Sequence, residues 1–216
     1  YYEGKYISRD INKSIHYLTL AANQNDPNAQ NKLGFIYYEG KYISRDINKS
    51  IHYFTLAANQ NDPNAQFILG VFYLIGKYLS KDINKASYYL YLAAEQQIND
   101  ARFLLGVIYS KGEKIPKDMM KSIHYYKYAS SINHSKAKNN LAMIYFNGIG
   151  VKKNKQSEQY AIELLNEAVK LNDPVSMYNL SHIYFYDENK VNNETIETII
   201  DLLIKSSLYL YQSKEL

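Results

Sequence analysis

Cysteine and tryptophan are both missing from this 216-residue chain. Without a thiol there is no disulfide, no thiolate metal site and no cysteine nucleophile. Long hydrophobic runs are also missing: no stretch of eighteen or more apolar residues occurs, and the opening segment lacks a basic stretch followed by an apolar core. Neither a membrane span nor a signal peptide can therefore be read in these residues, and the compartment stays open. The closing KEL lacks the aspartate of a KDEL signal and the serine of SKL. Excess charge is missing too. A net charge of +4 with scattered lysines gives no basic stripe to neutralise phosphates, so nucleic acid is not an expected partner. Finally, there is no G-x-S-x-G, HExxH, Walker lysine loop or dinucleotide-type glycine run, which removes the common signatures of hydrolases and nucleotide enzymes.

What is present is enough apolar residue, 46% against 21% charged, to bury one core or one continuous array. Tyrosine is abundant, 24 residues against 7 phenylalanines, alongside much Asn, Lys and Ile. That pattern reads as a coding bias. A role for any single tyrosine must rest on something further.

The dominant feature is self-similarity. YYEGKYISRDINKSIHY begins at Tyr1 and again at Tyr37, and residues 1–30 match 37–66 except for Leu18 against Phe54. Gly4, Gly40, Gly76, Gly112 and Gly148 are spaced 36 apart, and the next equivalent, Asp187, comes 39 later. A period of this length signals stacked supersecondary units.

Within one unit, Asp62 to Gly76 predicts a short helix. Asp62 can cap it, Pro63 suits the first helical position, and Gly76 can end it in the left-handed conformation. Ala65, Leu69, Phe72 and Tyr73 share one face. A second helix is predicted to start at Asp10, Asp46, Asp82, Asp118 or Asn154, and its inner face carries Ser50, Ala57 and Ala58, then Ala86, Ala93 and Ala94. One hairpin alone cannot hide its apolar face, whereas a stack buries a continuous core. The reading is an all-α α-solenoid filling residues 1–216 as a single array. Its helix pairs fall at about 26–60, 62–96, 99–132, 135–171 and 174–212. A lone second helix at about 10–24 precedes them, so the array is read as starting mid-repeat in a longer parent, with Thr195 to Tyr211 as a divergent closing helix.

The pattern A-x3-L-G-x2-Y-x2-G, loop, D-x3-A-x6-A-A resembles the Sel1-like repeat, a relative of the tetratricopeptide repeat. It reads Ala65, Leu69, Gly70, Tyr73, Gly76, Asp82, Ala86, Ala93, Ala94, and again Ala101, Leu105, Gly106, Tyr109, Gly112, Asp118, Ser122, Ala129. The resemblance implies a right-handed solenoid of helix-turn-helix units serving as a non-enzymatic scaffold or adaptor. It also implies an alternative, the regulatory or targeting array of a longer enzyme such as a protein kinase. Family members usually carry G-x-G-V after the first helix. Only Gly148 to Val151 keeps it here, and Tyr6, Tyr42, Tyr78 or Lys114 stands at the second glycine elsewhere, so those positions are expected to take ordinary φ.

No residue set is expected to do catalysis, and neither a metal nor a cofactor is expected. His16, His52 and His124 occupy one slot of successive second helices, on the order of 10 Å or more apart, too far to share an ion. The repeated aspartates are explained by capping. Function is therefore expected at a surface.

With Leu69, Gly70 and Tyr73 facing inward, positions 67, 71 and 74 turn away from the hairpin core. Across the units these read Asn31, Phe35 and Tyr38; Phe67, Val71 and Leu74; Phe103, Val107 and Ser110; Asn139, Met143 and Phe146; and Tyr178, His182 and Phe185. Either this row lines a concave groove for an apolar peptide or partner helix, or superhelical curvature packs it against the next helix as a second core layer. The sequence alone leaves both open. An acidic tail is not the expected ligand, because the row lacks a Lys and Arg clamp.

Overall fold

A computed structural model describes residues 11–186 and 193–212, all in helices and short connections with no strand among them. The chain divides into two compact units, residues 1–101 and 102–216. The first holds α1 (Ile11–Asn23), α2 (Pro27–Glu39), α3 (Ile47–Asn59), α4 (Pro63–Ile75) and α5 (Ile83–Glu95), each packed on the next. The second is built from α6 (Asn99–Lys111), all but its first three residues, with α7 (Met119–Ser131), α8 (Ser135–Asn147), α9 (Lys155–Lys170), α10 (Pro174–Tyr186) and α11 (Asn193–Gln212). There α7 to α11 pack in chain order, and α10 also touches α8.

Local chemistry sets these boundaries. Asp26, Asp46, Asp62, Asp82 and Asp118 each accept a backbone N–H three residues on, and Asn154 does so within a reciprocal capping box with Ser157. Gly40, Gly76 and Gly148 close α2, α4 and α8 at φ of 67°, 74° and 68°, where a Cβ would be strained. Asp10 and Tyr6 lie outside the described residues. Tyr42 and Tyr78 avoid positive φ, but Lys114 adopts φ 58°, contrary to expectation. An unbranched side chain tolerates the left-handed region at modest cost, so the loop keeps the glycine-like turn with a lysine in it.

The hairpin core depends on close approach. A Cβ on Gly34, Gly70 or Gly106 would lie 2.7, 2.7 or 2.6 Å from Phe54, Leu90 or Tyr126. The second helix thus presses one large side chain onto the bare backbone of the first, and the alanines at 57, 58, 93 and 94 are buried beside it. Between hairpins, a polar thread repeats inside the first unit. Buried Gln30 donates to the Ala22 carbonyl at 3.1 Å and accepts from Gln60 at 2.7 Å; Gln66 does the same with Ala58 at 3.3 Å and Gln96 at 2.9 Å. These amides are satisfied at their observed contacts and tie each first helix to the second helices on either side.

Tyr126 is the one phenol filling this large-residue slot. Its hydroxyl accepts from Asn140 Nδ2 at 3.1 Å. Burial pushes its pKa above the usual 10.0, opposed by hydrogen bonding with Ser110, Asn140 and Ser122. The folded state therefore holds this proton more tightly than the unfolded chain. Its contribution is intact below pH 10 and is lost as pH rises through the folded value. Urea unfolding followed from neutral pH to above pH 10 should show Tyr126→Phe losing less stability across that interval than the parent; equal losses would remove Tyr126 from the account.

Candidate functional site

In the first unit, the outward row of α2 and α4 is largely occupied by neighbouring side chains. Tyr38 lies 5.8 Å from Phe72 of the next first helix and 5.8 Å, edge-on, from Tyr78. Phe35 stands edge-on to Phe54 at 5.0 Å and is 36% exposed. Asn31, Phe67, Val71 and Leu74 are half-buried.

Arg45 joins the Tyr38 and Tyr78 contact, donating from Nη2 to the Tyr78 hydroxyl at 2.9 Å with its guanidinium 5.3 Å from the Tyr38 ring. The Tyr38 hydroxyl donates a hydrogen bond to the Tyr78 oxygen, which pushes the Tyr38 pKa up, helped by burial. The Tyr78 pKa is lowered, first by that bond and against desolvation, with further help from Arg45 and Lys77. The row here is a polar-capped seam.

The second unit repeats the seam and then opens it. Phe103 packs at 4.5 Å on His134, which caps α8 through Nδ1, and at 6.0 Å on Tyr126. Val107 and Phe146 are half-buried against the same core, and Lys153 lies 5.2 Å over Phe146. Ser110 and Met143 are half-buried.

Asn139, expected on the outward row, is instead buried, and its Oδ1 accepts from Asn179 Nδ2 of α10 at 2.8 Å. Its amide is consumed by the following first helix because the outward face of one first helix is where the next one docks. It is unavailable to a partner.

At α10 the same positions face water. Tyr178, the repeat equivalent of Asn139, is 53% exposed, and Phe185 and Tyr186 are 62% and 67% exposed. His182 lies between the two tyrosines, 6.2 Å from Tyr178 and 4.5 Å from Tyr186. From α11, buried Ile199 and exposed Leu203 complete the lining of a shallow cavity of about 180 Å³. Tyr186 and Leu203 are additions that the outward row did not supply. The signal for Tyr186 was its place one turn beyond His182, at the end of the aromatic run Tyr184, Phe185, Tyr186.

The remaining histidines each lie against the tyrosine that follows them in the chain. His52 and His124 stand edge-on to Tyr53 and Tyr125, and His16 to Tyr17. Among the described residues no group of three or more His, Asp or Glu is placed to hold a metal ion. No described helix is long and apolar enough to cross a membrane.

Comparison with known proteins adds the family. The model for the Sel1 repeat matches residues 1–26, 27–62, 63–97, 99–134, 135–173 and 174–193. A Sel1 repeat protein from Oxalobacter formigenes is similar in structure, with a TM-score of 0.76, 27% identity, and coverage of 93% of this chain and 81% of that one. The protein c5321, a protective antigen of uropathogenic Escherichia coli with an SLR fold, gives 0.70 at 24% identity over 95% of this chain. This chain spans about half of its length, 51%. The immunity protein PA5088 from Pseudomonas aeruginosa shares the fold at a TM-score of 0.51 and 13% identity, covering 94% of this chain and 76% of that one. No curated protein sequence matches the chain significantly.

Proposed function

Because this chain belongs to the Sel1 repeat family, whose members generally mediate protein–protein interaction, we propose that it is a non-enzymatic scaffold or adaptor receiving the apolar side of a partner helix. One observation carries the reading. Positions that are buried or half-buried in the preceding repeat, Asn139, Met143 and Phe146, become the open aromatic surface of Tyr178, His182 and Phe185. A contiguous exposed aromatic surface beside aliphatic side chains is the usual mark of an interaction site.

The face suits an apolar ligand. Lys205 of α11 is engaged with Asp201 at 2.6 Å, and among the described residues no arginine or lysine lines the cavity, so these residues offer a carboxylate no clamp. An amphipathic helix would lay apolar residues at i, i+3 and i+4 across Tyr178, Phe185 and Leu203.

Selection of helical peptides from a displayed library against the whole chain tests this. Enriched peptides should carry such a stripe and should lose at least tenfold in affinity, measured by calorimetry, to the double variant Tyr178→Ser, Phe185→Ser. Enrichment of peptides whose affinity survives the double variant would place the interaction elsewhere and refute the reading.

A further inference from the structure

Three successive hairpins close the seam between their two helices in the same way. Tyr37 stacks on Tyr53 at 5.7 Å and 6°, Tyr73 on Tyr89 at 5.9 Å and 3°, and Tyr109 on Tyr125 at 5.9 Å and 4°. A lysine covers each outer ring, with Lys49, Lys85 and Lys121 lying 5.2, 5.2 and 5.1 Å from Tyr37, Tyr73 and Tyr109. The sandwich of ammonium and two rings fills the seam.

The fourth hairpin departs from this. Its second helix, α9, has 16 residues where α7 has 13, and the three extra residues form an added first turn. Counting from there, Leu164 stands where the inner tyrosine stood, and Tyr160 stands where the lysine stood. Tyr160 meets Tyr145 edge-on, at 5.0 Å and 88°. Two perpendicular rings cannot close the seam as parallel ones do. Between Tyr145 and the added turn lies an open cleft of about 560 Å³, within the size range of small-molecule sites.

The lining fits one ligand chemistry. Tyr145 and Tyr160 offer an aromatic corner, and Gln156 and Gln159 offer amides that both donate and accept. Glu163, which accepts from Gln159 at 3.2 Å, and Lys152 line the rim, while Lys127, 5.8 Å over the Tyr145 ring, and Glu167 act on Tyr160 from nearby, so charges of both signs surround the cleft. Burial, then the neighbouring Tyr145, pushes the Tyr160 pKa up, which leaves its hydroxyl protonated as a donor at neutral pH. A pyranose ring has a C–H face that packs on an aromatic ring and an edge of hydroxyls that donate and accept. A phosphorylated or sulfated ligand would find carboxylates as well as lysines beside it, with no positive excess to hold it.

We propose that this cleft between α8 and α9 is a binding site for a neutral saccharide. It is independent of the aromatic face on α10 and α11 and uses none of its residues.

Saturation-transfer NMR on the whole chain with cellobiose, maltose and N,N′-diacetylchitobiose tests the site. At least one should receive saturation at its ring protons. Tyr160→Lys, which restores the residue type of the other hairpins, should abolish the signal while thermal unfolding stays unchanged. Gln159→Ala should weaken binding several-fold, and Tyr178→Ser with Phe185→Ser should leave it intact, separating this site from the peptide face. The proposal is overturned by no transfer to any of the three sugars, by transfer that survives Tyr160→Lys, or by transfer that the α10 double variant removes.

Discussion

Phe54→Ala should lower the thermal unfolding midpoint by of order 10 °C, since emptying a fully buried aromatic site costs about 3–5 kcal/mol and each kcal/mol moves the midpoint of a chain this size by about 2–4 °C. Phe54 is wholly buried. Its ring fills the space in which a Cβ on Gly34 would sit, and it also contacts Phe35 and Phe72 edge-on at 5.0 and 6.2 Å. The vacated volume cannot collapse easily because Gly34 has no side chain to swing into it. Phe54→Leu should recover most of the loss, because Leu90 occupies the same slot against Gly70 in the next hairpin. Circular dichroism melts of the two variants decide the matter: if alanine and leucine were equally mild, the ring-on-glycine contact would not be what holds the hairpin closed.

A second large effect is expected at Phe103. Phe103→Ser should cost about 1–3 kcal/mol, the value of a mostly buried apolar side chain, because the ring lies between His134 and Tyr126 and also supports the cap of α8. Phe185→Ser, two repeats further along the outward row but 62% exposed, should leave the midpoint within about a degree or two, as surface substitutions usually change stability by less than 0.5 kcal/mol. Paired melts under one condition compare them directly. If Phe103→Ser melts like the parent, the seam is open water-facing surface at that point and the distinction drawn between its inner and outer parts collapses.

Much of the fold was legible because its signals are local. Asp62, Pro63 and Gly76 specify a start and a stop for α4 through capping and backbone preference alone. The tight first-helix glycine could be placed on the inner face by counting, without knowing that Phe54, Leu90 or Tyr126 would press on it. Lys114 was misjudged because a preference for glycine at positive φ is a bias of about a kilocalorie per mole, which surrounding contacts readily override. The outward row was legible as a row and illegible as a surface. Asn139 and Tyr178 occupy equivalent positions, and nothing in either residue says that one is covered by α10 and the other left open. Equally, the three-residue excess was visible as a spacing of 39, but not that it would lengthen α9 at its start and turn Tyr160 across Tyr145.

By itself, then, the sequence determined the repeated helical hairpin, its caps and which side of each helix is apolar, since turning 100° per residue makes a helix face a property of a few neighbouring residues. Tertiary structure alone decided which outward residues meet another helix and which meet water, and where a filled seam becomes a cleft. Burial depends on residues some 30 to 40 positions away in the next repeat, a spacing set by the repeat length. A change of register or of one side chain there alters the surface without altering the pattern from which it is built.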